Sequence, residues 1–186
     1  STLVHASDRL MAGDWKLAAL FGPQHGFRSD LQENMIESPH AQDAKRRLPV
    51  HSLYSETREP TAQMLADVDV LVIDLQDVGT RIYTYIYTMA NCLKAARRTG
   101  TKVIVCDRPN PVGRPIEGTR LAPGWESFVG AGALPMRHGL TMGELAHWFV
   151  ATLRLSLDYQ VVTMLDWQPL AGPGHGWPLG EREWVN

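Results

Sequence analysis

Residues 70–77 read VLVIDLQD, and residues 103–110 read VIVCDRPN. Each is a β-branched run that stops at an aspartate, Asp74 or Asp107, and then turns polar. Between them, TRIYTYIYTMANCLKAARRTG has helical periodicity. A strand, a helix and a second strand make a βαβ unit with a right-handed crossover. The two strands are expected to be parallel neighbours, about 4.8 Å apart. Their aspartates would then lie side by side at the carboxyl edge of the sheet, where open α/β sheets bind ligands.

Outward from this unit the elements alternate. Residues 2–11 read as a short helix, 15–21 (WKLAALF) as a strand, 22–47 as polar loop and 49–54 (PVHSLY) as a short strand. Pro60 suits the first turn of a helix through Met64 and Leu65. Strand 69–75 leads into helix 82–99, whose Ile82, Ile86, Met89, Leu93 and Ala96 share a face and whose Gly100 suits a C-cap. Strand 102–107 follows, then a Pro- and Gly-rich loop, a helix over 141–155 and a strand over 160–165. This alternation predicts an α/β fold, a Rossmann-like parallel sheet flanked by helices. The expected organisation is a Rossmann-like domain over 1–168, the first of a two-domain protein. A Gly/Pro-rich tail over 169–186 then leads toward a second domain.

A chain of 186 residues is long enough for one domain with a real core. Its 44% hydrophobic content is ordinary for a globular protein, and a net charge of −2 favours neither nucleic acid nor an anionic membrane. No run approaches membrane-spanning length. The opening STLVHASDRL lacks the basic and apolar regions of a signal peptide, which leaves the compartment open between bacterial cytoplasm and periplasm. Cys92 and Cys106 read as buried small apolar residues. His25, His51 and His138 have no ligand spacing, so no metal is expected. The turn GPQHGF is not G-x-G-x-x-G, and no P-loop occurs, so no nucleotide cofactor is expected.

The chemistry is therefore sought in the loops. The first holds Gln24, His25 and Arg28 between Gly-Pro and Gly; on spacing alone a polar turn is the plainer account. The second, DLQDVGTRIYTY, holds Asp74, Gln76, Asp77, Arg81, Tyr83 and Tyr85. Sugar sites use such groups: carboxylates and amides for hydroxyls, aromatic faces for C–H surfaces, arginine for acidic substituents. Asp77 could equally cap the coming helix, with Arg81 neutralising it. The third, CDRPNP, holds Asp107, Arg108 and Asn110 between stiffening prolines, either as a preorganised site or as a rigid connection with an Asp–Arg pair. In PMRHGLTMGELA, Thr141 and Glu144 form a T-x-x-E capping box, while Arg137 and His138 precede it and could project toward the same rim.

GPQHGF, ENMIES, PVHSLY, DLQDVGTRIYTY, DRPNP, Glu117-Gly118, SFVG at 127–130 and PMRHGLTMGELA occur in this order. That series resembles the bacterial exo-β-N-acetylmuramidase family of NamZ type, long known as a domain of unknown function. The resemblance runs from about residue 10 to 167. It implies a Rossmann-like domain, a smaller second domain and an active cleft between them. It also implies release of N-acetylmuramic acid from the non-reducing end of peptidoglycan fragments, so the expected partner is a peptidoglycan-derived amino sugar. Family members are longer at both ends, so the chain reads as a fragment whose Trp167, Trp177 and Trp184 await a partner surface. Family loops commonly read G-P-E-H-G, with the glutamate as proposed catalytic acid; here the position is Gln24. Under the hydrolase reading, Asp74, Asp77 and Asp107 are carboxylate candidates, and Gln24 and His25 contact the scissile region. Arg81 or Arg137 takes the lactyl carboxylate. A non-catalytic sugar-binding domain is the alternative, and an unrelated structural role is the third.

Overall fold

The computed structural model describes residues 4–29 and 37–169. Residues 33–36 of ENMIES, the tail from residue 170, Trp177 and Trp184 lie outside the described residues. The chain forms two compact units, 1–69 and 70–186.

In the first unit, α1 (Ala6–Met11) precedes β1 (Leu20–Gly22), β2 (Ala41–Asp43) and β3 (Leu48–Ser52). β1 runs parallel to β3, and β2 pairs antiparallel with β3. Arg46 ties the turn after β2 to α1, donating to Asp43 at 2.8 Å and to Asp8 at 2.7 Å. Three expectations fail here. The strand predicted over 15–21 begins only at Leu20 and ends at Gly22, and β2 lies inside the stretch read as loop. Where a helix is expected from Pro60 through Leu65, residues 62–67 form turns, with bonds such as Ala66 N–H to Gln63 O and Val68 N–H to Leu65 O. One helical bond forms, Leu65 N–H to Thr61 O at 3.3 Å, but the Ala66 and Val68 N–H groups turn to partners three residues back, so the nucleus does not propagate.

In the second unit, β4 (Val70–Ile73), α2 (Tyr85–Thr99) and β5 (Lys102–Cys106) form the expected βαβ unit. β6 (Glu117–Arg120) and β7 (Pro135–Arg137) make a small antiparallel ribbon. α3 (Met142–Thr152) then leads to β8 (Tyr159–Val162), and the parallel sheet has the order β4-β5-β8. Leu71, Ile73, Val103 and Val105 are buried on one sheet face, against which α2 and α3 pack. α2 contributes Ile86, Met89, Leu93 and Ala96 at helical spacing, all buried, and burying each large one stabilises by about 1.5–3 kcal/mol. Tyr87 meets Phe149 of α3 edge-on at 6.2 Å. Gly100 ends α2 in the left-handed conformation at φ 78°, and the Thr141–Glu144 capping box starts α3 with both bonds formed.

Ile82 departs from its predicted place. It is 53% exposed, because α2 begins three residues later. The register also corrects the paired aspartates. Ile73 pairs with Val105, which sets Asp74 opposite Cys106 and Asp107 one residue further on. Alternation then sends the two carboxylates to opposite faces of the sheet. The ribbon β6–β7 had no apolar alternation to announce it; all four β6 residues are exposed.

Candidate functional site

Three loops of the second unit converge beside this ribbon. After β4 the chain turns through Gln76, Asp77 and Gly79. Gln76 Nε2 donates to the carbonyls of Asp77 (2.7 Å) and Pro109 (3.0 Å), joining the second and third polar loops. Asp77 Oδ2 accepts the Gly79 N–H at 2.8 Å. The carboxylate thus closes a local turn and caps no helix. Gly79 adopts φ +84°, and a β-carbon there would strike Asn110 Oδ1 and Val112 Cγ2. Asn110 is itself fixed: Nδ2 donates to Leu140 O at 3.1 Å, and Oδ1 accepts Val112 N–H at 3.0 Å.

Residues 80 and 81 add an antiparallel edge to β7. Thr80 bridges to Arg137, and Arg81 N–H donates to Met136 O at 2.8 Å. An open groove of about 450 Å³ results, lined by Val78, Gly79, Thr80, Val112, Met136 and Arg137. Arg137 forms part of the wall, donating to Glu117 Oε2 at 2.8 Å and to the Val112 carbonyl. Arg81 is 8% exposed, and its guanidinium donates to Thr119 O and Leu134 O at 2.8 and 2.7 Å. It stitches the ribbon to the loop and pairs with no carboxylate in these bonds. Tyr83 and Tyr85 follow, with ring centroids 4.7 Å apart.

Beside the residues lining the groove lies a pair whose meeting sequence spacing does not announce. His138 Nε2 is 3.1 Å from Asp77 Oδ2, and both side chains are buried. His138, expected at a rim, is 1% exposed. Its Nδ1 accepts Leu140 N–H at 3.2 Å, which leaves the ring hydrogen to Nε2, the nitrogen near the carboxylate, although that approach is not aligned as a hydrogen bond.

The two strand-end aspartates have separate partners. Asp74 accepts the Arg108 Nε–H at 2.6 Å. Asp107 Oδ1 accepts the Gly143 N–H at 2.6 Å, at the start of α3. Burial pushes the Asp107 carboxyl above its ordinary value of 3.8; the Gly143 N–H and Thr141 hydroxyl oppose this, and the Glu144 charge adds to it. At Glu144 burial also works upward, but Arg114, bidentate at 2.6 and 2.9 Å, and the Thr141 N–H hold it below its usual range. A raised folded pKa means that Asp107 contributes stability below its unfolded value, lost as pH rises through the folded one. Native protein is therefore expected to gain stability relative to Asp107→Asn on acidification from neutrality toward 3.8. Denaturant titrations across that window check the sign, and a constant difference would refute it.

Gln24 and His25 belong to the first unit, in the turn after β1. Gly26 N–H bonds Pro23 O at 3.0 Å, and His25 and Gly26 both adopt positive φ, 72° and 78°. A non-glycine residue in that region is uncommon, although histidine tolerates it better than most. Among the described residues no His, Cys, Asp and Glu cluster could hold a metal.

A family model described as exo-β-N-acetylmuramidase NamZ, N-terminal, matches residues 1–186. The peptidoglycan β-N-acetylmuramidase NamZ of Bacillus subtilis (strain 168) is 49% identical over 156 residues, covering 83% of this chain and 37% of that protein. A crystal structure of a DUF1343 family protein from Bacteroides fragilis superposes with a TM-score of 0.77 at 43% identity, over 87% of this chain and 41% of that one. A second from the same organism gives 0.71 at 33% identity, over 86% and 42%. The chain thus spans less than half the length of these relatives.

Proposed function

This chain belongs to the exo-β-N-acetylmuramidase NamZ family, matching its N-terminal part, and from that premise we infer a protein that acts on the amino sugars of peptidoglycan. We propose that it releases N-acetylmuramic acid from the non-reducing end of cell-wall fragments. The observation that supports this most is one open groove lined from QDVGTR, from Val112 directly after DRPNP and from Arg137 of RHGLT, with a buried carboxylate–imidazole pair beside those lining residues. A groove with apolar valines, backbone edges and a guanidinium in its wall suits a sugar ring better than a flat cofactor. Under this reading Arg137 is better placed than Arg81 for the lactyl carboxylate, since Arg81 is buried against two backbone carbonyls.

The usual glycosidase uses two carboxyl groups beside the scissile bond. Asp74 and Asp107 face opposite sides of their sheet, which argues against their serving as that pair. Asp77 is buried. The likeness of GPQHG to the family's G-P-E-H-G is what gives this reading residue 24 as its acid position, where an amide has no proton to transfer. That one residue favours the second reading, a sugar-binding relative with slow turnover or none. Incubating the full-length protein with a muramic acid disaccharide, and following both free N-acetylmuramic acid and binding heat, separates the two. Hydrolysis supports the first, binding without turnover supports the second, and neither binding nor hydrolysis overturns both.

A further inference from the structure

We propose that His138 and Asp77 are positioning residues that hold the groove wall formed by Val78, Gly79 and Thr80. The inference rests on the sugar-site reading only for what the groove takes.

The wall has two attachments to the segment that carries His138. One is backbone: the Thr80–Arg137 bridge and the Arg81 N–H to Met136 O bond. The other is the side-chain pair, with Asp77 Oδ2 holding the Gly79 N–H on one side and facing His138 Nε2 on the other. A left-handed turn is only as fixed as its anchors, and here both anchors run to residues 136–138.

The pair is more than an ordinary core contact. Among the described residues, Asp77 Oδ1 and His138 Nε2 are buried without an aligned hydrogen-bond partner; the 3.1 Å approach has ion-pair distance without hydrogen-bond direction. Buried polar groups left this way weaken the fold. A leucine–valine contact would stabilise the same space better. Polar pairs kept under such conditions are found where geometry serves a site. The residues immediately after Asp77, Val78–Thr80, and those immediately before His138, Met136 and Arg137, all line the groove.

The test uses the full-length protein in native, His138→Leu and His138→Gln forms. Glutamine can present an N–H where the imidazole Nε2–H lies; leucine fills the space without one. In His138→Leu, hydrogen exchange at the amides of Gly79, Thr80 and Arg81 is expected to quicken about tenfold or more, with the α2 amides unmoved. On a muramic acid disaccharide kcat should fall about 10²-fold, as for a misplacement of about 1 Å, with KM less affected. His138→Gln should restore most of both. Unchanged exchange at these amides in His138→Leu, or equal loosening in His138→Gln, would overturn the proposal. If His138→Leu does not fold, Asp77→Asn/His138→Leu carries the same comparison, because it leaves no buried charge unpaired. The exchange result stands whether or not the native protein hydrolyses the sugar, so failure of the functional reading is seen separately.

Discussion

Replacing Gln24 by Glu in the full-length protein is expected to raise muramidase turnover by about 10²–10⁴-fold, the usual contribution of a general acid or base. The two side chains have the same shape and reach, so ground-state binding should change little. Only the carboxyl can give a proton to the departing sugar oxygen. The turn that carries residue 24 is wound tightly, with a Pro23–Gly26 bond and two left-handed residues in succession. A side chain presented on such a turn keeps its direction when amide becomes acid. The measurement is kcat and KM on a muramic acid disaccharide for the two forms. Brisk hydrolysis by the native protein, unchanged in Gln24→Glu, would remove residue 24 from the acid position. The search would then return to Asp74, Asp77 and Asp107.

Gly79→Ala is expected to destabilise the protein by about 2–5 kcal/mol. Roughly 1–2 kcal/mol comes from holding an L-residue at a left-handed φ. Overpacking adds about 1–3 kcal/mol. The atoms a new β-carbon meets cannot yield cheaply. Asn110 Oδ1 is held by the Val112 N–H and its amide nitrogen by Leu140 O. Relief would have to come from moving the turn, which is the groove wall, so the surviving folded protein should also bind sugar poorly. Denaturant unfolding of native and variant protein checks the first part. A loss under about 0.5 kcal/mol, typical of an uninvolved surface site, would mean that Asn110 does not pack over this turn.

The βαβ unit was legible because both its signals are local. β-Branched runs end at polar residues, and a helix-period pattern ends at Gly100. The capping box at Thr141 was legible for the same reason, since its two bonds span three residues. The family was legible through motifs that lie in loops. What escaped was whatever depends on how segments meet. Strand register is set by pairing, and one residue of offset put Asp74 and Asp107 on opposite faces, although each strand end looks alike in sequence. The ribbon β6–β7 is short and exposed, so no hydrophobic alternation marks it. Arg81 and Arg137 have the same charge and similar neighbours. Only the folded chain distinguishes them, because one is buried against backbone carbonyls and the other forms the groove wall.

The sequence by itself determined the βαβ unit, the helix and strand that follow it, their caps and the polar loops of the second unit, because each follows from side-chain volume, polarity and backbone preference within a few residues. Tertiary structure alone decided which of those polar groups meet. Asp77 and His138 are separated by a helix, a strand and a ribbon, and neither carries a local signal for the other. They come together because β7 lies along residues 80–81 in one antiparallel register, and a register is a property of two segments that neither one's sequence contains.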